Sequence, residues 1–254
     1  MKKHLLPILL MFIVLFSCEK EKEANLKKTS PPVNSVKDTS DTTSVSDTSE
    51  FVVVKDTLYW GVYKGVIVSG KEFSGLVSIN ILSDTSGTCF LKINENNYTL
   101  EFLNNQQTRN KYIVKYINPE VQVSITTSKD GLNPIVTIDY RNIDFMSYVL
   151  KESLENSVSL YEGEWIATVK TPLNTFEEKG LWSIAHNNST IIGSNGEGPI
   201  NGSISLSGVY SGTHNNGTFT GSKNDSGLTG TFKWSAFGLN GTGNWNATEF
   251  LFVE

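Results

Sequence analysis

From Leu58 onward, apolar side chains recur at every second position in short runs, and this alternation restricts the chain to β-structure. Val77, Ile79 and Ile81 share one phase, followed by Tyr98, Leu100 and Phe102, then by Tyr112, Val114 and Tyr116. Val121, Val123 and Ile125 repeat the pattern, as do Val136, Ile138 and Tyr140. A period of two places one set of side chains on one face of a sheet. Asn96-Asn97, Asn104-Asn105 and Lys129-Asp130-Gly131 fall between the runs and carry turn chemistry. Strands this close in sequence pair with their neighbours as an antiparallel meander. Helical spacing is confined to Met146, Val149, Leu150 and Leu154, which read equally as a short connecting helix or as a last strand.

In the second half, glycine takes a regular place on the apolar phase. Ile200, Gly202, Ile204, Leu206, Gly208 and Tyr210 share one phase. Leu228, Gly230, Phe232 and Trp234 share another, and so do Gly241, Gly243 and Trp245. Glycine weakens a flat strand, so its repeated use needs a cause. A small barrel supplies one, because small residues beside large ones fit its taper and glycine lets strands bend at corners. Asn215-Asn216-Gly217 and Asn224-Asp225-Ser226-Gly227 provide hairpin turns. Closure also removes the free sheet edges.

The two halves look like copies of one plan. Leu58-Tyr59-Trp60-Gly61-Val62-Tyr63 aligns with Leu160-Tyr161-Glu162-Gly163-Glu164-Trp165, and Gly75-Leu76-Val77-Ser78-Ile79 with Gly180-Leu181-Trp182-Ser183-Ile184. The expected fold class is all-β: two tandem small antiparallel up-and-down β-meanders or barrels after a disordered tether. The first β-domain is assigned to residues 51–150 and the second to 158–254.

The first fifty residues are of another kind. Met1-Lys2-Lys3-His4 is a basic lead, followed by an apolar run from Leu5 to Phe16 that is too short to span a bilayer. Leu15-Phe16-Ser17-Cys18 resembles the lipobox of bacterial lipoprotein precursors. That resemblance implies a signal peptide over residues 1–17, cleavage before Cys18, and acylation of Cys18. Glu19-Lys20-Glu21-Lys22-Glu23 resembles the acid-rich signal that sends lipoproteins of the Bacteroidetes group to the cell surface. Residues 18–50 are assigned to the lipidated Cys and a flexible linker, which from about residue 24 is Ser, Thr, Asp, Lys and Pro with almost nothing to bury. Asp41-Thr42-Thr43 and Asp56-Thr57-Leu58 resemble the sites at which the same bacteria attach O-glycans, which implies modification at Thr42 and Thr57. The implied location is the outer membrane, held there by lipid.

Chemistry is sparse in the remainder. Lys and Arg number 21 against 26 Asp and Glu, well mixed, so no basic face for nucleic acid is implied. Cys89 keeps phase with Leu91 and Ile93 and is expected in a core. His186 and His214 each precede two asparagines, a turn context that predicts solvent-facing side chains. No second His or Cys stands at zinc spacing, so no metal is assigned. Glu177-Glu178 are adjacent acids that point in different directions, and Asn224-Asp225-Ser226-Gly227 lacks the further acids of a calcium loop. Neither a phosphate-binding Gly-Lys-Ser/Thr motif nor a Gly-x-Ser-x-Gly elbow occurs. No cofactor is implied and the chain is expected to be non-enzymatic.

Five tryptophans remain. Trp165, Trp234 and Trp245 are the candidates for lining a pocket in a barrel mouth, as well as for filling a core. Trp60 and Trp182 fall out of phase with Tyr59 and Leu181, which predicts an aromatic on an outer face. Ser203-Ile204-Ser205-Leu206-Ser207-Gly208 and Leu228-Thr229-Gly230-Thr231-Phe232 resemble the hairpins of lipocalin-like and avidin-like barrels. The resemblance spans roughly residues 160–254 and implies a module that captures a small ligand, a glycan or a protein at the envelope. The alternative is a structural, accessory envelope subunit whose barrels are filled with side chains.

Overall fold

A computed structural model describes residues 58–237 and 239–252 of the chain. The expected signal peptide, Cys18, the linker, Thr42 and Thr57 lie outside the described residues. All regular structure among those residues is β-strand. The first eight strands are β1 (Gly61–Ser69), β2 (Phe73–Ser83), β3 (Ser86–Ile93), β4 (Asn96–Gln107), β5 (Lys111–Ile117), β6 (Gln122–Ser128), β7 (Ile135–Asp139) and β8 (Met146–Lys151). The second eight are β9 (Ser159–Lys170), β10 (Thr175–His186), β11 (Thr190–Ser194), β12 (Pro199–Ile204), β13 (Val209–His214), β14 (Gly217–Asn224), β15 (Gly227–Ala236) and β16 (Leu239–Phe250).

Each group forms an antiparallel up-and-down sheet of eight strands whose first strand also pairs with its last. The second sheet closes completely, as the order β10-β11-β12-β13-β14-β15-β16-β9 returns to its start. The first runs β7-β6-β5-β4-β3-β2-β1-β8 and stops short of closure between β7 and β8. There one side chain replaces the missing ladder. The Ser147 hydroxyl accepts from the Val136 amide at 3.2 Å and donates to the Val136 carbonyl at 2.7 Å. The expected all-β architecture of two meanders or barrels is the one observed.

The alternation read from sequence sets the inside of each sheet. Tyr63, Ile67, Val77, Ile79, Ile81, Leu91, Leu100, Val114, Tyr116, Val123, Ile125 and Val136 fill the first, with Cys89 among them. Burial pushes the Cys89 thiol far above its ordinary range, so it behaves as an inert apolar group. Tyr59 stacks on Tyr112, with centroids 3.6 Å apart.

Aromatic rings fill the second barrel, and glycines make room for them. A Cβ at Gly180 would stand 2.8 Å from the Trp165 ring, one at Gly230 2.6 Å from Trp245, and one at Gly243 2.7 Å from Phe232. Carbon contacts ordinarily lie at about 3.5–4.0 Å, so a larger residue would displace the ring, and at Gly230 and Gly243 it would also strike, closer still, the Thr220 and Ile166 carbonyl oxygens of the neighbouring strands. None of these three has a positive φ. They leave space for rings lying against the wall, the small-beside-large arrangement expected of a small barrel, and at Gly230 and Gly243 also for the neighbouring strand.

The inward and outward phases of the two copies match, but their registers do not. Gly75 pairs with Ile67. The sequence match would therefore set Gly180 opposite Val169, whereas it pairs with Trp165, four residues away. An even slip preserves which face each side chain takes, so both interiors survive it.

Both sheets belong to one compact unit. Val66, Leu76, Val158, Leu160 and Ala185 form a separate buried cluster from outward positions of β1, β2, β9 and β10 and from the connecting segment. Tyr148, Leu150, Ile192, Phe250 and Phe252 surround it. Burying the four larger aliphatics stabilises this contact by at most roughly 6–12 kcal/mol. That upper bound is comparable to the whole stability of a small domain, so the contact couples the two barrels energetically. The Lys92–Glu162 ion pair crosses the same contact, its side chains only 18% and 16% exposed.

Of the two readings open for Met146, Val149, Leu150 and Leu154, the last strand is the one observed, as β8. Several other local expectations need correction. Asn104-Asn105 is no turn: β4 continues through it, and a register shift between Phe102 and Asn104 absorbs Leu103 as a bulge. The turn expected at Asn96-Asn97 falls two residues earlier, since Ile93 already pairs with Asn96 and Asn94 takes φ +50°. The run from Ile200 to Tyr210 is a hairpin, with Leu206 fully exposed at its tip and Gly208 at φ +77°. Trp182 is completely buried and Leu181 is the outward residue. Trp60 is half-buried against the first core.

Candidate ligand site at the mouth of the second barrel

The β11–β12, β13–β14 and β15–β16 connections gather at one end of the second barrel. Between them lies a cavity of about 170 Å³ lined by Trp165, Glu178, Asn195, Glu197, His214, Asn215, Asn216, Phe232, Trp234 and Ala236. Strand phase explains most of this set. Trp165, Glu178, His214, Phe232, Trp234 and Ala236 all occupy inward positions, Trp165 and Phe232 from mid-strand and the others from nearer the strand ends. Glu177 faces outward, as adjacent acids on a strand must, while Glu178 turns to the cavity.

The β11–β12 loop is built around Asn195. Its side-chain Oδ1 accepts from the amides of Glu197 (3.1 Å) and Gly198 (2.9 Å), which closes a tight turn with Gly196 at φ +81°. Its carbonyl accepts from the Trp165 indole at 3.0 Å, fixing that ring. Its side-chain amide faces His214 Nδ1 at 3.3 Å; with the amide donating, the imidazole keeps its proton on Nε2. Burial holds His214 below the ordinary histidine value, against the opposing pull of the Lys233 backbone and Glu197. The imidazole is therefore neutral at neutral pH.

The floor is aromatic. Trp165 meets Phe232 edge-on at 5.7 Å, His214 meets Phe232 at 5.2 Å, and Trp182 stacks on Trp245 at 5.0 Å below them. Of the three tryptophans assigned to a pocket by sequence, Trp165 and Trp234 line the cavity. Trp245 lies in the filled middle of the barrel, 1% exposed.

The opposite end of the barrel is closed by side chains. His186 stacks on Tyr161 with centroids 5.3 Å apart, and its Nε2 meets the Tyr210 hydroxyl at 3.2 Å. Its Nδ1 lies 3.1 Å from the Asn187 carbonyl, so Nδ1 donates and Nε2 accepts from Tyr210. Neither histidine faces solvent as the turn context had predicted. His186 and His214 end strands β10 and β13 on the inward phase, and each turn begins one residue later.

A larger hollow of about 710 Å³ lies on the outer wall, with Thr168, Thr218, Thr220, Thr231 and Thr242 along it. It is an open, hydroxyl-lined groove, less suited to enclosing a small molecule than the apolar cavity with its few polar groups. Among the described residues, no group of three or more His, Cys, Asp or Glu side chains converges as a metal site would require.

Sequence reasoning missed Glu178, Asn195, Glu197, His214 and Phe232 as cavity residues. The phase of Trp182 and Ile184 extends back to Glu178, and that of Tyr210 and Gly212 extends to His214, so both were accessible signals. Lys71 carried none, because it reaches the cavity rim from the other barrel. No protein-family model, curated protein or solved structure matches the chain.

Proposed function

We infer that the protein is a non-enzymatic binding module that takes a small ligand at the mouth of its second barrel and is held at the cell envelope by an acylated Cys18. The observation that supports ligand capture is the cavity of about 170 Å³ between Trp165 and Trp234, with polar groups at its rim. An engineered apolar cavity of about 150 Å³ accommodates benzene, so the ligand portion enclosed here is of that size. Titration with benzyl alcohol tests this. Shifts of the Trp165 and Trp234 indole resonances that saturate together support the reading; unchanged indoles at millimolar ligand contradict it.

The envelope location rests on the lipobox-like Leu15-Phe16-Ser17-Cys18 and the polar segment behind it. Mass spectrometry of the mature protein should find an N-terminal, acylated Cys18, and Cys18→Ala should abolish acylation. A mature chain beginning elsewhere would contradict it.

The accessory reading keeps support from one observation, the first barrel's interior. Its bulky buried set, capped by the Tyr59–Tyr112 stack, makes that barrel a filled scaffold against which the second is held.

A further inference from the structure

The geometry points to an ammonium site at the rim of this cavity, held in the free protein by Lys71 of the first barrel and taken over by a small organic amine as ligand. This rests on the ligand-binding reading above and adds the chemical class. Lys71 stands at the tip of the β1–β2 hairpin, next to Gly70 at φ +58°. Its Nζ lies 2.6 Å from Glu178 Oε1 and 2.5 Å from Glu197 Oε1, and 5.6 Å from the centre of the Trp165 ring. Two carboxylates and an aromatic face are the surroundings that stabilise a desolvated ammonium.

All three of these partners also line the cavity. Its wall carries two carboxylates and a neutral imidazole and offers no cation of its own. An anionic ligand would be repelled there, and a neutral one would leave the carboxylates to Lys71. An amine on a benzene-sized body satisfies the rings with its body and the carboxylates with its charge. Displacement is feasible because the bridge is partly solvated: the Lys71, Glu178 and Glu197 side chains are 40%, 34% and 37% exposed. The hairpin cannot simply sink deeper, since Gly196 already packs against it, a Cβ there falling 3.1 Å from the Gly70 carbonyl.

Calorimetric titration of the full-length protein with benzylamine and benzyl alcohol, equal in ring and length, tests the assignment. Wild type should favour benzylamine. Lys71→Ala should tighten benzylamine by about tenfold or more while benzyl alcohol changes by less than about twofold. Glu178→Gln with Glu197→Gln in that background should bring benzylamine down to the level of the alcohol. Lys71→Met, which keeps the apolar stem, should behave like Lys71→Ala and guards against a loosened hairpin. Benzylamine binding that is no tighter in either folded Lys71 variant overturns the ammonium site. Equal binding of both compounds in every variant overturns it too, while sparing the cavity. Absence of binding by both compounds in all variants overturns the ammonium site together with the cavity reading.

Discussion

The Trp182 and Trp245 rings lie nearly parallel across the second barrel, 5.0 Å apart at 14°. They fill the space beneath the cavity and limit its depth, and neither indole nitrogen has a hydrogen-bond partner. Trp245→Ala should destabilise the protein by about 3–5 kcal/mol, the usual cost of emptying a large aromatic site. Trp245→Phe should cost less than half as much, because the N–H it removes was unpaired. Urea unfolding of both variants measures the difference, and equal losses would contradict the packing described.

The Gly180–Trp165 contact links the fold to the site. Gly180→Ala sets a methyl group 2.8 Å from the Trp165 ring. The ring must move, which weakens its bond to the Asn195 carbonyl. We expect a loss of about 1–3 kcal/mol in stability and a shifted Trp165 indole resonance. An unchanged indole signal would mean that the ring is held differently.

Ser147 bridges the open seam of the first sheet. Ser147→Ala removes both of its bonds to Val136, which is 3% exposed, at a cost of about 1–3 kcal/mol. Hydrogen exchange should quicken at the Val136 amide well before the β1–β2 ladder is affected. Uniform change across the sheet would argue against a local seam.

Acid should weaken the second barrel. Burial lowers the affinity of His186 and His214 for protons in the folded state. As pH falls through about 6.5 the unfolded chain takes up protons first, so unfolding becomes easier; above that value the full stability is present. The pull of Lys223 lowers the Glu249 carboxylate despite its burial, so it titrates below this window. Urea midpoints at about pH 7.5 and pH 5 should differ, and His186→Phe should reduce the difference. A midpoint that rises on acidification contradicts this account.

Much of the fold was legible because a period of two is a direct consequence of strand geometry. The inward sets of β2, β5, β6 and β15 follow from it residue by residue. The same logic carried on in steps of two from Ile184 and Tyr210 would have turned His186 and His214 inward; the asparagines after them suggested a turn too early. Gly65-Val66-Ile67-Val68 breaks the alternation because β1 is buried on both faces, against its own core and against the other barrel. The bulge at Leu103 and the slip between the copies depend on pairing, which neither strand specifies by itself. Lys71 and Glu178 lie 107 residues apart in the chain, and only the packing of the two barrels brings them together.

A crystal soaked in benzyl alcohol tests the central claim most directly. The account predicts ordered density for the ring in the cavity between Trp165 and Trp234, above Phe232. Density only in the threonine groove of the outer wall, or none at all while the crystal stays ordered, would contradict it.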